Sequence, residues 1–208
     1  QNIHRKIQSR KMFSNNYLFL NDLIDLNMKL ATEIECRIYS SLYDIDAVTL
    51  RYFNVYGPNE EHKGDMRSVV SKAYEQIAET GRMTLFRSHR TEYRDGEQKR
   101  DFLYVKDAVR MTLWLAENEQ ANGLFNLGNG IARTWLDLGN SIFLALGLEP
   151  NVDFMDMPKI LRDKYQYFTE ATIDKLRTCG YADELFSLED AVRDYASNYL
   201  VPDRRLGA

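Results

Sequence analysis

Side chains alternate along residues 48–56. Val48, Leu50, Tyr52, Asn54 and Tyr56 fall on one side, and Thr49, Arg51, Phe53 and Val55 on the other, which is the period of a strand. Gly57-Pro58 stops it. Residues 1–11 are polar and basic and do not open like a domain. From about Asn15 or Asn16, the positions Tyr17, Leu20, Leu23, Ile24, Leu26 and Leu30 predict a helix. Cys36–Ser41 then reads as a short strand, and Leu42–Asp46 as a bridge into the Val48 strand. Downstream, Met66, Val69, Val70, Ala73, Tyr74 and Ile77 mark one helix face, with Gly81 as the stop. Met83–Phe86 reads as a strand, His89–Lys99 as a charged loop turning at Asp95-Gly96, and Arg100–Val105 as a strand. Asp107 is expected to cap a helix whose Ala108, Met111, Thr112 and Leu115 share a face. Leu124–Leu127 is a strand closed by Gly128-Asn129-Gly130. Thr134 caps a helix carrying Trp135, Leu138, Ile142 and Leu146. Val152–Met157 reads as an edge strand before Pro158, and Ala171–Cys179 as a short helix. Ser187 opens the last helix, with Leu188, Ala191, Val192 and Tyr195 inward. Strands alternating with helices predict an α/β protein.

Composition narrows the function. The chain has 208 residues, 44% hydrophobic and 28% charged, as a globular protein has. A net charge of −4 argues against nucleic acid or an anionic membrane as partner. The longest apolar run, about Ile142–Leu148, is far too short to span a bilayer. The basic N-terminus lacks the apolar core of a signal peptide. Cys36 and Cys179 have no metal spacing, nor do His4, His62 and His89, so no metal is expected and a reducing, cytoplasmic setting fits.

Ligands of open α/β sheets sit beyond the carboxyl ends of strands, which puts Asn54 and Lys63 where a polar ligand would lie. A core strand followed by a solvated loop accounts for the same pattern. Two features are missing. No G-x-G-x-x-G or G-x-x-G-x-x-G stretch offers backbone amides to a dinucleotide pyrophosphate. No Tyr-x-x-x-Lys pair sets an ammonium one helical turn from a phenol; the nearest spacing is Tyr17 to Asn21, a neutral amide.

Arg51-Tyr52-Phe53-Asn54-Val55-Tyr56-Gly57-Pro58 resembles the signature of extended short-chain dehydrogenase/reductases that act on nucleotide sugars. Further pieces follow in order. They are His62-Lys63-Gly64-x-Met66, Gly96 to Asp107, Phe125 to Gly130 with Ala132-Arg133-Thr134-Trp135, and Tyr165-Gln166-x-Phe168-Thr169-Glu170-Ala171. Together they resemble the ADP-heptose 6-epimerase branch of that family over about residues 47–200.

The resemblance implies an incomplete Rossmann-type parallel sheet with a smaller α/β substrate-binding lobe. Residues 1–57 would be the remnant of the Rossmann-like domain, 58–100 and 131–200 the substrate lobe, and 101–130 a strand-helix-strand returning to the sheet. It implies NADP-dependent epimerisation of ADP-D-glycero-D-manno-heptose to ADP-L-glycero-D-manno-heptose, a precursor of bacterial lipopolysaccharide, by a homo-oligomer. Carried over by position, Asn54 contacts substrate, Val55 lies against the nicotinamide, and Lys63 is a second catalytic base close to the cofactor. Asp65 and Lys72 stand where the family has a small polar contact and, in some members, His. Phe86, Arg87, Ser88 and His89 correspond to the loop around ADP, Arg100 to the diphosphate-binding Arg, and Tyr165 to a substrate-binding Tyr. Gly128-Asn129-Gly130 reads as a turn, not a phosphate loop.

In the family, a segment with Tyr-x-x-x-Lys follows the strand matched by Arg37–Ser41. Here Ser41 runs almost directly into the Val48 strand, so a splice lacking that segment and the nucleotide-binding half is expected, with NADP binding weak or absent and no turnover by this chain alone. A competing alignment makes Tyr17 the degenerate catalytic Tyr. Two other readings remain: a different nucleotide-sugar epimerase or dehydratase, and a non-catalytic, truncated substrate lobe.

Overall fold

The structure is a computed structural model that describes residues 11–16, 23–162 and 164–204. Tyr17, Leu20 and Asn21 lie outside them. The strands are β1 (Lys11–Asn16), β2 (Ala47–Tyr52), β3 (Asn54–Tyr56), β4 (Met83–Phe86), β5 (Lys99–Tyr104), β6 (Gly123–Leu127), β7 (Ala132–Thr134) and β8 (Val152–Met155). The helices are α1 (Leu23–Tyr43), α2 (Val69–Thr80), α3 (Val105–Glu117), α4 (Trp135–Ala145), α5 (Lys159–Arg162), α6 (Asp174–Thr178) and α7 (Leu188–Tyr195), with a 3-10 turn at Glu61–Met66 and a π turn at Ala196–Leu200.

The alternating run that reads as one strand is two. β2 pairs in parallel with β1 and β6, while β3 pairs in parallel with β5 in a different sheet. The break falls at Phe53, whose N–H donates to Leu127 O (2.9 Å), while Val55 N donates to Phe53 O (2.8 Å). β5 also pairs antiparallel with β7, and β4 pairs in parallel with β8. The result is an α/β fold with a partial parallel sheet and a smaller α/β lobe.

Two cores form, and β5 separates them. Phe102 and Tyr104 enter the first with Val70, Ile77, Leu138 and Tyr195, whereas Leu103 enters the second with Leu50, Met111, Leu115 and Phe125. Successive side chains of a strand point to opposite faces, so one short strand supplies both cores.

The N-terminal reading needs two corrections. Asn15 and Asn16 do not start a helix; they end β1, which runs parallel to β2 in the register Asn15↔Arg51, a non-local pairing that local spacing cannot show. Cys36–Ser41 is not a strand either, because α1 runs unbroken to Tyr43. Its inward positions are Glu33, paired with Arg51, then Cys36, which is buried, and Ser40, whose Oγ donates to Ile45 O (2.7 Å). That spacing is helical, but the side chains are polar or small, so hydrophobic pattern misses it. With no strand at Cys36–Ser41, a splice after Ser41 loses its structural basis.

Elsewhere the boundaries move slightly. α2 starts at Val69 behind the cap Ser68, and Met66 is exposed in the 3-10 turn. Gly81 closes α2 in the left-handed region (φ 70°). Asp107 is no cap: α3 starts at Val105, and the buried Asp107 carboxylate pairs with Arg110 and accepts from Phe186 N (2.9 Å). Val105 thus leaves the expected strand for the helix. The Asp95-Gly96 turn closes through Glu97 N to Arg94 O (3.1 Å). The helix expected over Ala171–Cys179 is confined to Asp174–Thr178.

Candidate functional site

β5 and the N-terminus of α4 build a polar-aromatic cluster among the candidate residues. α4 is started by a capping box: Thr134 Oγ1 accepts from Asp137 N (2.9 Å) while Asp137 Oδ2 accepts from Thr134 N (3.0 Å). Backbone bonds from Trp135 N to Gln98 O (3.2 Å) and from Leu136 N to Gly96 O (3.1 Å) dock this helix start on the loop before β5.

Arg100 lies on β5 and is 2% exposed. Its guanidinium donates to Lys99 O (2.8 Å) and to Gln166 O, and sits 5.2 Å from the Tyr165 ring and 5.8 Å from the Trp135 ring. Among the described residues no carboxylate forms an ion pair with it. Burial pushes its pKa down and the Tyr165 phenol offsets only part of that, with a net fall. Tyr165 is half-buried, and its hydroxyl accepts from Trp135 Nε1 (2.9 Å). Burial raises the Tyr165 pKa; the Arg100 charge and the Trp135 hydrogen bond oppose that. Phe86, at the end of β4, meets Tyr165 edge-on with ring centroids 6.5 Å apart.

Ser88 and His89 join through Tyr167. The Tyr167 hydroxyl bonds His89 Nδ1 (2.7 Å) and accepts from His89 N (3.0 Å), and Ser88 Oγ lies 3.5 Å away. His89 Nε2 reaches Arg162 O (3.0 Å); a carbonyl only accepts, so Nε2 carries the proton. Arg87 pairs with Asp95 (3.1 Å), whose other oxygen accepts from Ser88 N (2.8 Å).

Asn54 opens β3. Its Nδ2 donates to Asp101 O (3.1 Å) and to Thr169 Oγ1 (3.4 Å), which ties it to β5 and to the segment after Tyr165. With its N–H groups so used, this amide offers a ligand its oxygen as acceptor. Val55 points the other way and packs against the second core. Lys63, Asp65 and Lys72 form a separate group on the 3-10 turn and α2, where Lys63 N donates to Glu60 O (3.0 Å) and the Lys72 ammonium to Asp65 O. The Glu60 carboxylate holds this turn: it is buried and accepts from Ser68 N (2.7 Å), Ser68 Oγ (2.5 Å) and Tyr195 OH (3.0 Å). The structure therefore brings Phe86, Ser88, His89, Arg100 and Tyr165 together and ties Asn54 to them through β5.

Sequence reasoning missed Trp135, Tyr167, Thr169 and Asp101 as parts of this site. Asp101 is fully buried, and its carboxylate accepts from Asn129 N (2.6 Å), Gly130 N (2.9 Å) and Ala171 N (2.9 Å). Burial pushes its pKa up and these three bonds push it down, with a net rise. The Gly128–Gly130 turn thus spends amides on Asp101, and a Cβ on Gly128 would lie 2.3 Å from Ala171 Cβ. With those amides taken and no glycine-rich loop in the sequence, the residues present do not fit a dinucleotide pyrophosphate.

The profile of the NAD dependent epimerase/dehydratase family matches residues 27–128. The ADP-L-glycero-D-manno-heptose-6-epimerase of Nitratidesulfovibrio vulgaris (strain DP4) is 55% identical over 152 residues, 73% of this chain and 47% of that protein. Residues 27–128 therefore carry the signature of the NAD dependent epimerase/dehydratase family. It spans about half the length of the curated relatives it matches, 47% and 48% for two of them. Solved structures share the fold. A UDP-N-acetylglucosamine 4-epimerase from Methanobrevibacter ruminantium M1, in complex with UDP-N-acetylmuramic acid, superposes with TM-score 0.77 at 21% identity, covering 94% of this chain and 64% of that one. The Helicobacter pylori ADP-L-glycero-D-manno-heptose-6-epimerase superposes with TM-score 0.70 at 22% identity, covering 95% and 62%. The fold is therefore of the Rossmann-like epimerase/dehydratase type. Among the described residues no helix is long and apolar enough to cross a membrane.

Proposed function

We propose that this chain is the nucleotide-sugar-binding part of a cytoplasmic epimerase that converts ADP-D-glycero-D-manno-heptose to ADP-L-glycero-D-manno-heptose. One observation carries the reading: a buried guanidinium, Arg100, framed by Tyr165 and Trp135, has no carboxylate partner among the described residues. A buried charge without a counter-ion is costly, and an anion such as a diphosphate offsets that cost. The similarity to ADP-L-glycero-D-manno-heptose-6-epimerases supplies the sugar.

In this reading Arg100 and Tyr165 hold the diphosphate, and Phe86, Arg87, Ser88 and His89 flank the adenosine. The Asn54 oxygen accepts from a sugar hydroxyl. Lys63 exchanges the hydroxyl proton at the inverted carbon, with Asp65 and Lys72 on the same side. Residues 58–100 and 131–200 make the substrate lobe; residues 1–57 and 101–130 belong to the sheet. NADP is the cofactor of the complete enzyme, with Val55 and Lys63 as this chain's neighbours to its nicotinamide, while its pyrophosphate finds no fit among the residues present.

Calorimetric titration of the 208-residue chain with ADP-heptose and with a UDP-sugar tests the reading. Binding is expected for ADP-heptose, about tenfold or more weaker in Arg100→Ala. Equal binding of the UDP-sugar would favour a different nucleotide-sugar epimerase, and no binding of either would remove the reading. No turnover is expected from the chain alone, since its sequence holds no Tyr-x-x-x-Lys pair. We further propose a homo-oligomer, supported by the exposed Ile34, Ile38 and Leu42 along α1. Light scattering after size exclusion should show more than one copy, and Leu42→Glu should shift it toward monomer.

A further inference from the structure

Trp135 has no role in the reading above beyond framing Arg100, yet its indole is used twice. Trp135 is 8% exposed, and its ring lies 5.8 Å from the Arg100 guanidinium and meets Phe102 edge-on at 5.1 Å. Its Nε1–H donates to the Tyr165 hydroxyl at 2.9 Å. An indole N–H is a donor only, so in this pair the phenol oxygen must be the acceptor. The phenolic proton is then left to be given to something else, and among the described residues nothing accepts it. Tyr165 is half-buried and Arg100 is buried.

We propose that Trp135 is a positioning residue for the diphosphate of the nucleotide sugar: it occupies the acceptor side of the Tyr165 hydroxyl and so commits that hydroxyl to donate to an anionic oxygen in front of Arg100. Two donors of different kinds then face one anion. The guanidinium supplies charge, held between two rings that do not neutralise it. The phenol supplies a directed O–H whose polarity the indole has set. The docking of α4 on the loop before β5, through Trp135 N to Gln98 O, fixes the indole relative to Arg100. This inference rests on the proposed diphosphate site and names the residue that orients it.

The test is titration of the 208-residue chain with ADP by calorimetry. Trp135→Phe keeps an aromatic ring and removes the N–H; it should weaken ADP binding about tenfold. Tyr165→Phe should cost a similar factor, and the double variant should be no weaker than Tyr165→Phe alone, because the indole acts through the hydroxyl. Additive losses, or wild-type affinity in Trp135→Phe, would overturn the proposal while leaving the diphosphate site standing. Absence of ADP binding by the wild-type chain would overturn both. A second measurement does not depend on the Trp135 variant folding. The chain has two tryptophans, so ¹⁵N spectra show two indole signals, and Trp114, edge-on to Tyr181, is the reference. The Trp135 indole signal should move on adding ADP to wild type and stay still in Tyr165→Phe. The same movement in both proteins would overturn the proposal.

Discussion

Asp194 gathers Tyr104 OH (2.5 Å), Lys106 Nζ (2.6 Å) and Asn198 Nδ2 (2.8 Å) around one partly buried carboxylate. Burial alone would raise its pKa, but the hydrogen bonds from Lys106, Tyr104 and Asn198 outweigh it and hold the carboxyl below its ordinary value of 3.8. A depressed folded pKa gives stability that is complete above the ordinary value and is lost as pH falls through the folded one. Asp194→Asn should therefore cost about 1–3 kcal/mol at neutral pH, with the gap to wild type narrowing in acid. Urea midpoints at about pH 7 and about pH 3 check this; a gap that stays constant would show that the charge is not what stabilises. Arg100 is the opposite case, a buried charge whose described neighbours are carbonyls and rings, and that contrast is why an anion is proposed beside it.

Elements with strong local signals sit where the spacing puts them. Thr134 and Ser187 cap α4 and α7 by accepting from Asp137 N (2.9 Å) and Asp190 N (3.0 Å), because a Ser or Thr followed three residues later by an acid satisfies free helix N–H groups whatever lies around it. Thr134→Ala should lower stability by about 1 kcal/mol, read as a lower urea midpoint. It should also weaken ADP binding, since the cap fixes the helix start that carries Trp135. Elements set by distant partners are less legible. β2 and β3 read as one strand because alternation continues through Phe53, and only the competing partners β6 and β5 split it. α1 is hidden because its inward face is made of Glu33, Cys36 and Ser40 rather than a run of leucines.

At the scale of the whole molecule, β5 makes the two cores one unit, since Leu103 serves one and Phe102 and Tyr104 the other. Leu103→Ala should cost about 2–5 kcal/mol and loosen both cores together. Each core has its own reporter, because Trp114 packs against the second and Trp135 belongs to the first. Single-tryptophan variants should unfold in urea with coincident midpoints, in wild type and in Leu103→Ala alike; separate transitions would mean that the cores fold independently. The sequence by itself determined the α/β class, the Thr134 and Ser187 helix caps, the Gly81 stop, and the resemblance that picks out Asn54, Lys63, Arg100 and Tyr165, because spacing, caps and local motifs are properties of neighbouring residues. Tertiary structure alone decided the split at Phe53, the helical state of Cys36–Ser41, the Asp101 knot on the Gly128–Gly130 turn, and the meeting of Trp135 with Tyr165 and Arg100. Each of those depends on which distant backbone group or side chain arrives as partner, and that information is carried by the packed fold and not by any local run of residues.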